Sequence, residues 1–69
     1  MRFTIESEQE VDGRWIAEVR ELPGVLAYWR TRDEAIAKVE ALGLRVLADR
    51  LENSDETRTS ALQISFAAL

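Results

Sequence analysis

Residues 22–35 read LPGVLAYWRTRDEA, and the topology of the chain follows from this stretch. Pro23 has no backbone N–H for a sheet ladder and Gly24 tolerates a positive φ, so the chain has to turn there. Thr31 and Glu34 have the spacing of a capping box: the hydroxyl accepts from the N–H three residues on, and Glu34 reaches back to the N–H of Thr31. The stretch predicts a turn, a short apolar strand and a helix start, in that order.

The apolar run between this turn and the helix predicts a strand whose two faces its residues do not distinguish. The inward-facing set is one of two: Val25, Ala27 and Trp29, or Leu26 and Tyr28. Neighbouring strand residues point to opposite faces, so one of Tyr28 and Trp29 has to leave the core. Exposed aromatic side chains are enriched at protein interfaces, which makes both residues candidates for partner binding.

Two more strands are predicted on the N-terminal side of the turn, because apolar and polar residues alternate there. The apolar members of the two alternations are Phe3 and Ile5, then Trp15, Ala17 and Val19. The dipeptide Asp12-Gly13 lies between them and is typical of a β-hairpin.

The length of the hairpin loop follows from the faces of the two strands. A two-residue loop would pair Ile5 with Arg20 and place the apolar residues of the two strands on opposite faces. A three-residue loop, residues 11–13, brings Ile5 opposite Val19 and puts Gly13 in the left-handed region of a type I turn with a G1 bulge. We therefore expect the three-residue loop.

The period of the apolar residues changes to that of a helix from Arg32 to about Leu51. The apolar stripe consists of Ala35, Ile36, Val39, Leu42, Gly43, Val46 and Leu47. Gly43 lies within the stripe, and a close contact with the sheet is its simplest explanation. On the outer side, the pairs with i,i+4 spacing for ion pairs are Glu34 with Lys38 and Arg45 with Asp49.

The rest of the chain predicts a loop and a last strand. Residues 52–60 (ENSDETRTS) are polar and predict the loop. The strand is predicted by an alternation of Leu62, Ile64, Phe66 and Ala68 with Gln63, Ser65 and Ala67. The expected fold is one α+β domain, residues 1–69, of order β-β-β-α-β: a mixed four-stranded sheet with one long helix on one face. The helix should return the last strand parallel to the first through a right-handed crossover.

Composition restricts the function. The chain has no cysteine and no histidine, no nucleophile beside a base, and no glycine-rich phosphate loop, so we expect no catalytic residue, no cofactor and no metal site. Thirteen acidic and nine basic residues give a net charge of −4, which argues against direct nucleic-acid binding and suits a basic protein partner. No apolar run has the length of a membrane span and no signal peptide is present, so the cytoplasm is the expected location.

Chain length also has a consequence for assembly. A domain of 69 residues hides only about 60% of its unfolded surface, so its stability as a monomer is marginal. Self-association stabilises such domains, and we expect a homo-oligomer, a dimer or larger.

Several segments, in this order, resemble the N-terminal domain of HicB antitoxins: DGRWIAEV (12–19), LPG (22–24), TRDEA (31–35) and AKVEA (37–41). The resemblance implies a small β-β-β-α-β fold likened to a truncated ribonuclease H. It also implies a role in a toxin–antitoxin system, the neutralisation of a HicA toxin, which is a small basic ribonuclease that cleaves mRNA.

The chain departs from the family at two places. Family members commonly have glycine just before the capping box, where this chain has Trp29-Arg30. Full-length antitoxins continue into a C-terminal DNA-binding segment, whereas this chain ends after its last predicted strand, so DNA binding is not carried over. Ribonuclease H-like enzymes hold metal with clustered carboxylates, but Glu6 and Glu18 are better interpreted as solvent-facing strand residues.

Candidate partner-binding residues are expected on the sheet face away from the helix and in the third strand. Ile16 is flanked there by charged residues and centres a small patch. The candidates are Arg14, Ile16, Glu18, Tyr28 and Trp29. The first hypothesis is an antitoxin domain that occludes a basic toxin, and the second is a solitary self-associating domain without catalytic activity.

Overall fold

The computed structural model describes residues 1–53 and 61–69. Its elements are β1 (Arg2–Gln9), β2 (Trp15–Val19), β3 (Leu26–Trp29), α1 (Arg32–Glu52) and β4 (Ser65–Ala68). The four strands form one sheet in the order β3-β2-β1-β4, with β4 parallel to β1 and the other neighbours antiparallel. The predicted α+β class and element order are confirmed. Most of the predicted loop at 52–60 lies outside the described residues.

The β1–β2 hairpin has the predicted register. Ile5 lies opposite Val19, and Gln9 lies opposite Trp15. Gly13 has φ of +92°, the left-handed conformation that the three-residue loop requires. The N–H of Glu10 donates to the Arg14 carbonyl at 2.7 Å and closes the loop.

The structure also determines which residues of β3 face the helix. Val25 is only 5% exposed, and Ala27 lies opposite the fully buried Ala17 and packs against the core. Leu26 and Tyr28 therefore point to the other side of the sheet. Of the two alternatives, the set with Val25 and Ala27 is the inward one, and the next residue of this set is Trp29.

The predicted cap of α1 is present with one difference. The Thr31 hydroxyl accepts from the N–H of Glu34 at 3.2 Å. Glu34 does not complete the box as expected, because its Oε1 takes the hydrogen of the Thr31 hydroxyl at 3.0 Å and its Oε2 accepts from the Trp29 indole N–H. The carboxylate is turned towards the sheet, and Lys38 lies over the Trp29 ring instead of extending along the outer side of the helix.

The ion pairs of the described residues differ from those expected on α1. They join Arg14 to Asp12 and Arg20 to Glu6, all in the hairpin region. Exposed i,i+4 pairs stabilise a helix by only a few tenths of a kcal/mol, so their absence from 1–53 changes little.

The core lies between α1 and the sheet. α1 buries Ala35, Val39, Gly43 and Leu47, and the other residues of the predicted stripe pack partly against the same cluster. A Cβ on Gly43 would lie 3.5 Å from the Phe66 ring, which confirms the close contact of this glycine with the sheet. Complete burial of side chains such as Ile5 and Val39 stabilises the fold by about 1.5–3 kcal/mol each.

The parallel strands β1 and β4 are joined by an aromatic contact on the core side and by hydrogen bonds from Arg32 at the end of the pair. Phe3 lies opposite Phe66, with ring centroids 5.5 Å apart. The Arg32 guanidinium donates to the Ser7 hydroxyl at 3.0 Å and to the Leu69 carbonyl at 2.6 Å. The first turn of α1 is thereby fastened to both parallel strands.

Candidate functional site

The surface of the sheet opposite α1, here called the open face, consists of alternate residues of the four strands. Among the described elements, α1 alone packs over the sheet, on the other side. The open face is formed by Arg2, Thr4, Glu6, Glu8, Ile16, Glu18, Arg20, Leu26, Tyr28, Ser65 and Ala67. It is the main surface of the fold on which strand side chains face solvent.

Apolar and acidic residues are separated on the open face. One cross-strand row runs from Tyr28 through Ile16 to Glu8, and the next runs from Leu26 through Glu18 to Glu6. Directly opposite side chains in antiparallel strands have Cβ atoms about 5 Å apart, so each row is continuous. The rows form an apolar corner (Ile16, Leu26, Tyr28) beside an acidic group (Glu6, Glu8, Glu18).

Two of the three acidic side chains have no charge partner among the described residues. Glu6 accepts from the Arg20 Nε at 2.7 Å and is compensated by it. Within 1–53 and 61–69, neither Glu8 nor Glu18 makes an ion pair, and both are exposed. As far as residues 1–53 and 61–69 show, Glu8 and Glu18 therefore place uncompensated negative charge next to the apolar corner.

Tyr28 is held in place by the hairpin. The Arg14 guanidinium carbon lies 4.9 Å from the centre of the Tyr28 ring, within the range of a cation–π contact. The Arg14 Nε donates to Asp12 Oδ2 at 2.8 Å, and the Arg14 N–H donates to Asp12 Oδ1 at 3.0 Å. These two bonds lower the pKa of the Asp12 carboxyl, and the bond from the backbone N–H has the larger effect.

Trp29 lies apart from the other predicted residues. Ile16, Glu18 and Tyr28 share the open face and Arg14 lies over the Tyr28 ring, whereas the ring of Trp29 contacts Glu34 and Lys38 on the α1 side of the sheet. A shallow depression at the end of β3 is lined by Arg14, Tyr28, Trp29, Arg30 and Glu34. This depression runs from Tyr28 on the open face to Glu34 on the α1 side of the sheet. Trp29 therefore lies at its edge and is not part of the apolar corner.

Leu26 and Glu8 belong to this surface although they were not among the predicted binding residues. The period-two alternation from Phe3 and Ile5 placed Glu8 opposite the core, so a signal for it was present. No such signal existed for Leu26, because residues 25–29 are apolar on both faces of the strand. Its position became clear only through its pairing with Glu18.

The carboxylates of the open face are too few and too dispersed to form a metal centre in the described part of the chain. No three acidic side chains among residues 1–53 and 61–69 come together as a set of ligands. Glu6 and Glu18 lie opposite each other, but Glu6 already accepts from Arg20. The arrangement favours attraction of cationic groups around an apolar contact.

Within the described residues, no helix combines the length and the apolar character needed to cross a bilayer. The chain matches no model of a known protein family, no curated protein and no solved structure.

Proposed function

We propose that this chain is a HicB-like antitoxin domain of the cytoplasm that binds a small basic HicA-type toxin and occludes its active or RNA-binding surface. The observation that carries the proposal is the apolar corner next to the carboxylates of Glu8 and Glu18, which form no ion pair within the described ranges. The sequence resemblance supplies the class of partner, and the open face supplies a surface with suitable chemistry.

The charge of the domain favours this partner. A net charge of −4 attracts a basic protein and raises the rate of encounter. A ribonuclease carries cationic side chains where it binds phosphates, and these side chains can pair with Glu8 and Glu18 in place of RNA. An acidic domain that covers this surface acts by competition, without contact of its own with nucleic acid.

The apolar corner provides exposed apolar surface that a partner can bury, in addition to the attraction between charges. Leu26 and Tyr28 are 39% and 41% exposed, and Ile16 is half-buried between them and the acidic group. Tyrosine is frequent among the residues that dominate binding energies. Because Arg14 already holds the Tyr28 ring, little side-chain entropy is lost when a partner packs against it.

In this proposal the domain binds and does not catalyse. Glu6 serves to compensate Arg20, and Asp12 serves to hold Arg14 at the hairpin. Both are structural uses of carboxylates, and they leave Glu8 and Glu18 for the partner.

The test is inhibition of a HicA-type ribonuclease by this protein. Unmodified protein should abolish RNA cleavage at equimolar ratio, and unchanged cleavage in stoichiometric excess would refute the proposal. The variant Glu8→Lys/Glu18→Lys should raise the inhibition constant by about tenfold or more. Its matched control is Glu40→Lys/Glu52→Lys on α1, which changes the net charge equally, from −4 to 0. Equal loss in both variants would mean that total charge, and not the open face, determines binding.

A further inference from the structure

No strand within residues 1–53 and 61–69 pairs with the outer edge of β3. β3 is the terminal strand of the sheet, and the N–H of Val19 donates to the Val25 carbonyl at 3.0 Å. In an antiparallel pair, alternate residues bond the neighbouring strand. Val25, Ala27 and Trp29 therefore point their backbone groups at β2, and those of Leu26 and Tyr28 point away from the sheet.

Apart from its short length of four residues, this edge shows none of the usual protections of edge strands within residues 1–53 and 61–69. Such strands carry lysine, proline, a bulge or an inward-pointing charge. The four residues of β3 read LAYW, with no charge and no proline. Three of them are exposed large apolar side chains: Leu26 (39%), Tyr28 (41%) and Trp29 (40%). Both the backbone and the side chains of this edge are suited to a further strand.

We propose that a second copy of this chain pairs with β3 in antiparallel orientation, about a twofold axis through Ala27. The two outward-facing residues lie symmetrically on either side of Ala27, so the edge is complementary to itself. In this register, Leu26 bonds the partner's Tyr28 and Tyr28 bonds the partner's Leu26. The contact is isologous, and it joins two four-stranded sheets into one of eight strands.

The side chains fit this register on both faces of the sheet. On the open face, Leu26 and the partner's Tyr28 form an aliphatic–aromatic cross-strand pair, twice by symmetry. On the α1 side, Ala27 lies opposite the partner's Ala27 at a non-hydrogen-bonded position, where the Cα atoms approach to about 4.5 Å. A long side chain there would crowd the space between the two paired backbones, whereas alanine leaves room for the close approach.

The pairing also extends the open face. The row from Glu8 through Ile16 to Tyr28 continues into the partner's Leu26 and the partner's Glu18. The apolar corners of the two copies merge into one strip that has at each end a carboxylate without an ion-pair partner in the described part of the chain. The pairing thus gives apolar contacts to residues that are exposed in the single chain, and it places no like charges opposite each other within the strip.

The opposite edge of the sheet, formed by β4, has less exposed apolar surface for pairing. The N–H groups of Ser65 and Leu69 donate to β1, so the backbone of Phe66 and Ala68 faces outward, again with an alanine, Ala67, midway. The exposed side chains of β4 are only those of Ser65, Ala67 and Ala68. Pairing there would cover little apolar surface, which favours the β3 edge.

Single cysteines distinguish the two edges, because the sequence contains no cysteine of its own. Ala27→Cys should form an intermolecular disulfide under mild oxidation, since a Cα separation of about 4.5 Å is within the range of disulfides. Ala67→Cys reports in the same way on β4 and should remain reduced. Cross-linking of Ala67→Cys without Ala27→Cys would overturn the proposal.

Sedimentation equilibrium of the unmodified chain should give twice the mass of 7.9 kDa at micromolar concentration. Leu26→Lys puts a charge on the edge and should raise the dimer dissociation constant by about tenfold or more. Leu44→Lys is the matched control, because Leu44 is similarly exposed (48%) but lies on α1. Equal dissociation of both variants, or a monomer for the unmodified chain, would refute β3 pairing.

Hydrogen exchange gives an answer that requires no variant. The amide protons of Leu26 and Tyr28 should be protected at high protein concentration and should exchange freely on dilution. Exchange independent of concentration contradicts the pairing. None of these measurements involves a toxin, so their outcome is independent of the proposed function, and pairing without toxin binding would support the solitary self-associating domain.

Discussion

The carboxylate of Glu21 accepts hydrogen bonds from both donors of Thr4, its backbone N–H and its hydroxyl. Oε1 accepts from the Thr4 backbone N–H at 2.7 Å, and Oε2 accepts from its hydroxyl at 2.9 Å. The Thr4 carbonyl meanwhile accepts from the N–H of Arg20 at 2.9 Å. A side chain therefore takes the place of a backbone carbonyl where the β1–β2 ladder ends. The Thr4 N–H is the main cause of the lowered pKa of Glu21.

Glu21→Gln should make the stability of the domain less sensitive to acid. The pKa of Glu21 is lower in the folded chain than its ordinary value of 4.5, so its charged form stabilises the fold above that value. This contribution is lost as the pH falls through the folded pKa. Urea unfolding at neutral pH should show the variant to be less stable than the unmodified chain, and the difference should shrink below pH 4.5.

Glu8→Gln is the matched control for this pH dependence. Glu8 is an exposed glutamate of the same hairpin, and it makes no ion pair with any residue in the described ranges. Its substitution removes the same charge and should lower the stability at neutral pH less than Glu21→Gln does, because no hydrogen bond of the Glu8 side chain is present in the described part of the chain. A profile altered as much as that of Glu21→Gln would assign the effect to total charge.

The sequence contained enough information to predict the hairpin register. A shift by one residue would have placed the side chains of Ile5 and Val19 on different faces of the sheet, and only one of them could then have reached the core. The helix was equally predictable, since its start has a threonine at the cap and its stripe has the helical period. The sequence did not reveal that Glu34 would bond the Trp29 indole and the Thr31 hydroxyl in place of the Thr31 backbone N–H. This arrangement depends on Trp29, which competes for the carboxylate and whose direction was open at that point.

The candidate site was predictable on β2 and not on β3. Ile16 and Glu18 follow from an alternation of polar and apolar residues, whereas residues 25–29 are apolar on both faces and leave the face of Tyr28 undetermined. The parity of β3 is set by long-range pairing with β2, in which Ala17 meets Ala27. Leu26, a principal member of the apolar corner, was for this reason missed.

Gly43→Ala should stabilise the domain. A Cβ at Gly43 would lie 3.5 Å from the Phe66 ring and 3.7 Å from Leu22 Cδ1, distances of ordinary van der Waals contact. Alanine favours a helix over glycine by about 1 kcal/mol, so we expect a gain of about 0.5–1 kcal/mol in the free energy of unfolding. Urea denaturation measures it.

Gly43→Leu is the control for the same site. Leucine has a similar helix propensity to alanine, but its further carbons would have to displace the Phe66 ring. We expect a loss of about 1–3 kcal/mol. Destabilisation by Gly43→Ala would show instead that the contact between α1 and β4 is tighter than the structure has it.

Thr31→Ala should remove the N-cap of α1. The Thr31 hydroxyl is the acceptor of the Glu34 N–H, and loss of a threonine cap costs about 0.5–2 kcal/mol. Thr31→Ser keeps the hydroxyl and should retain most of the stability. Far-ultraviolet circular dichroism during urea titration measures both variants, and equal losses for alanine and serine would exclude a capping role.

Gly13→Ala should destabilise the hairpin although there is space for the new methyl group. No atom lies within 4 Å of a Cβ at Gly13, so any cost comes from the backbone, whose φ of +92° side-chain-bearing residues rarely adopt. We expect a loss of about 1 kcal/mol in the free energy of unfolding, measured by urea denaturation. Gly13→Asn should lose less, because asparagine tolerates positive φ better than alanine. Equal stability of Gly13→Ala and the unmodified chain would mean that the loop adopts another conformation, and with it another register of β1 on β2.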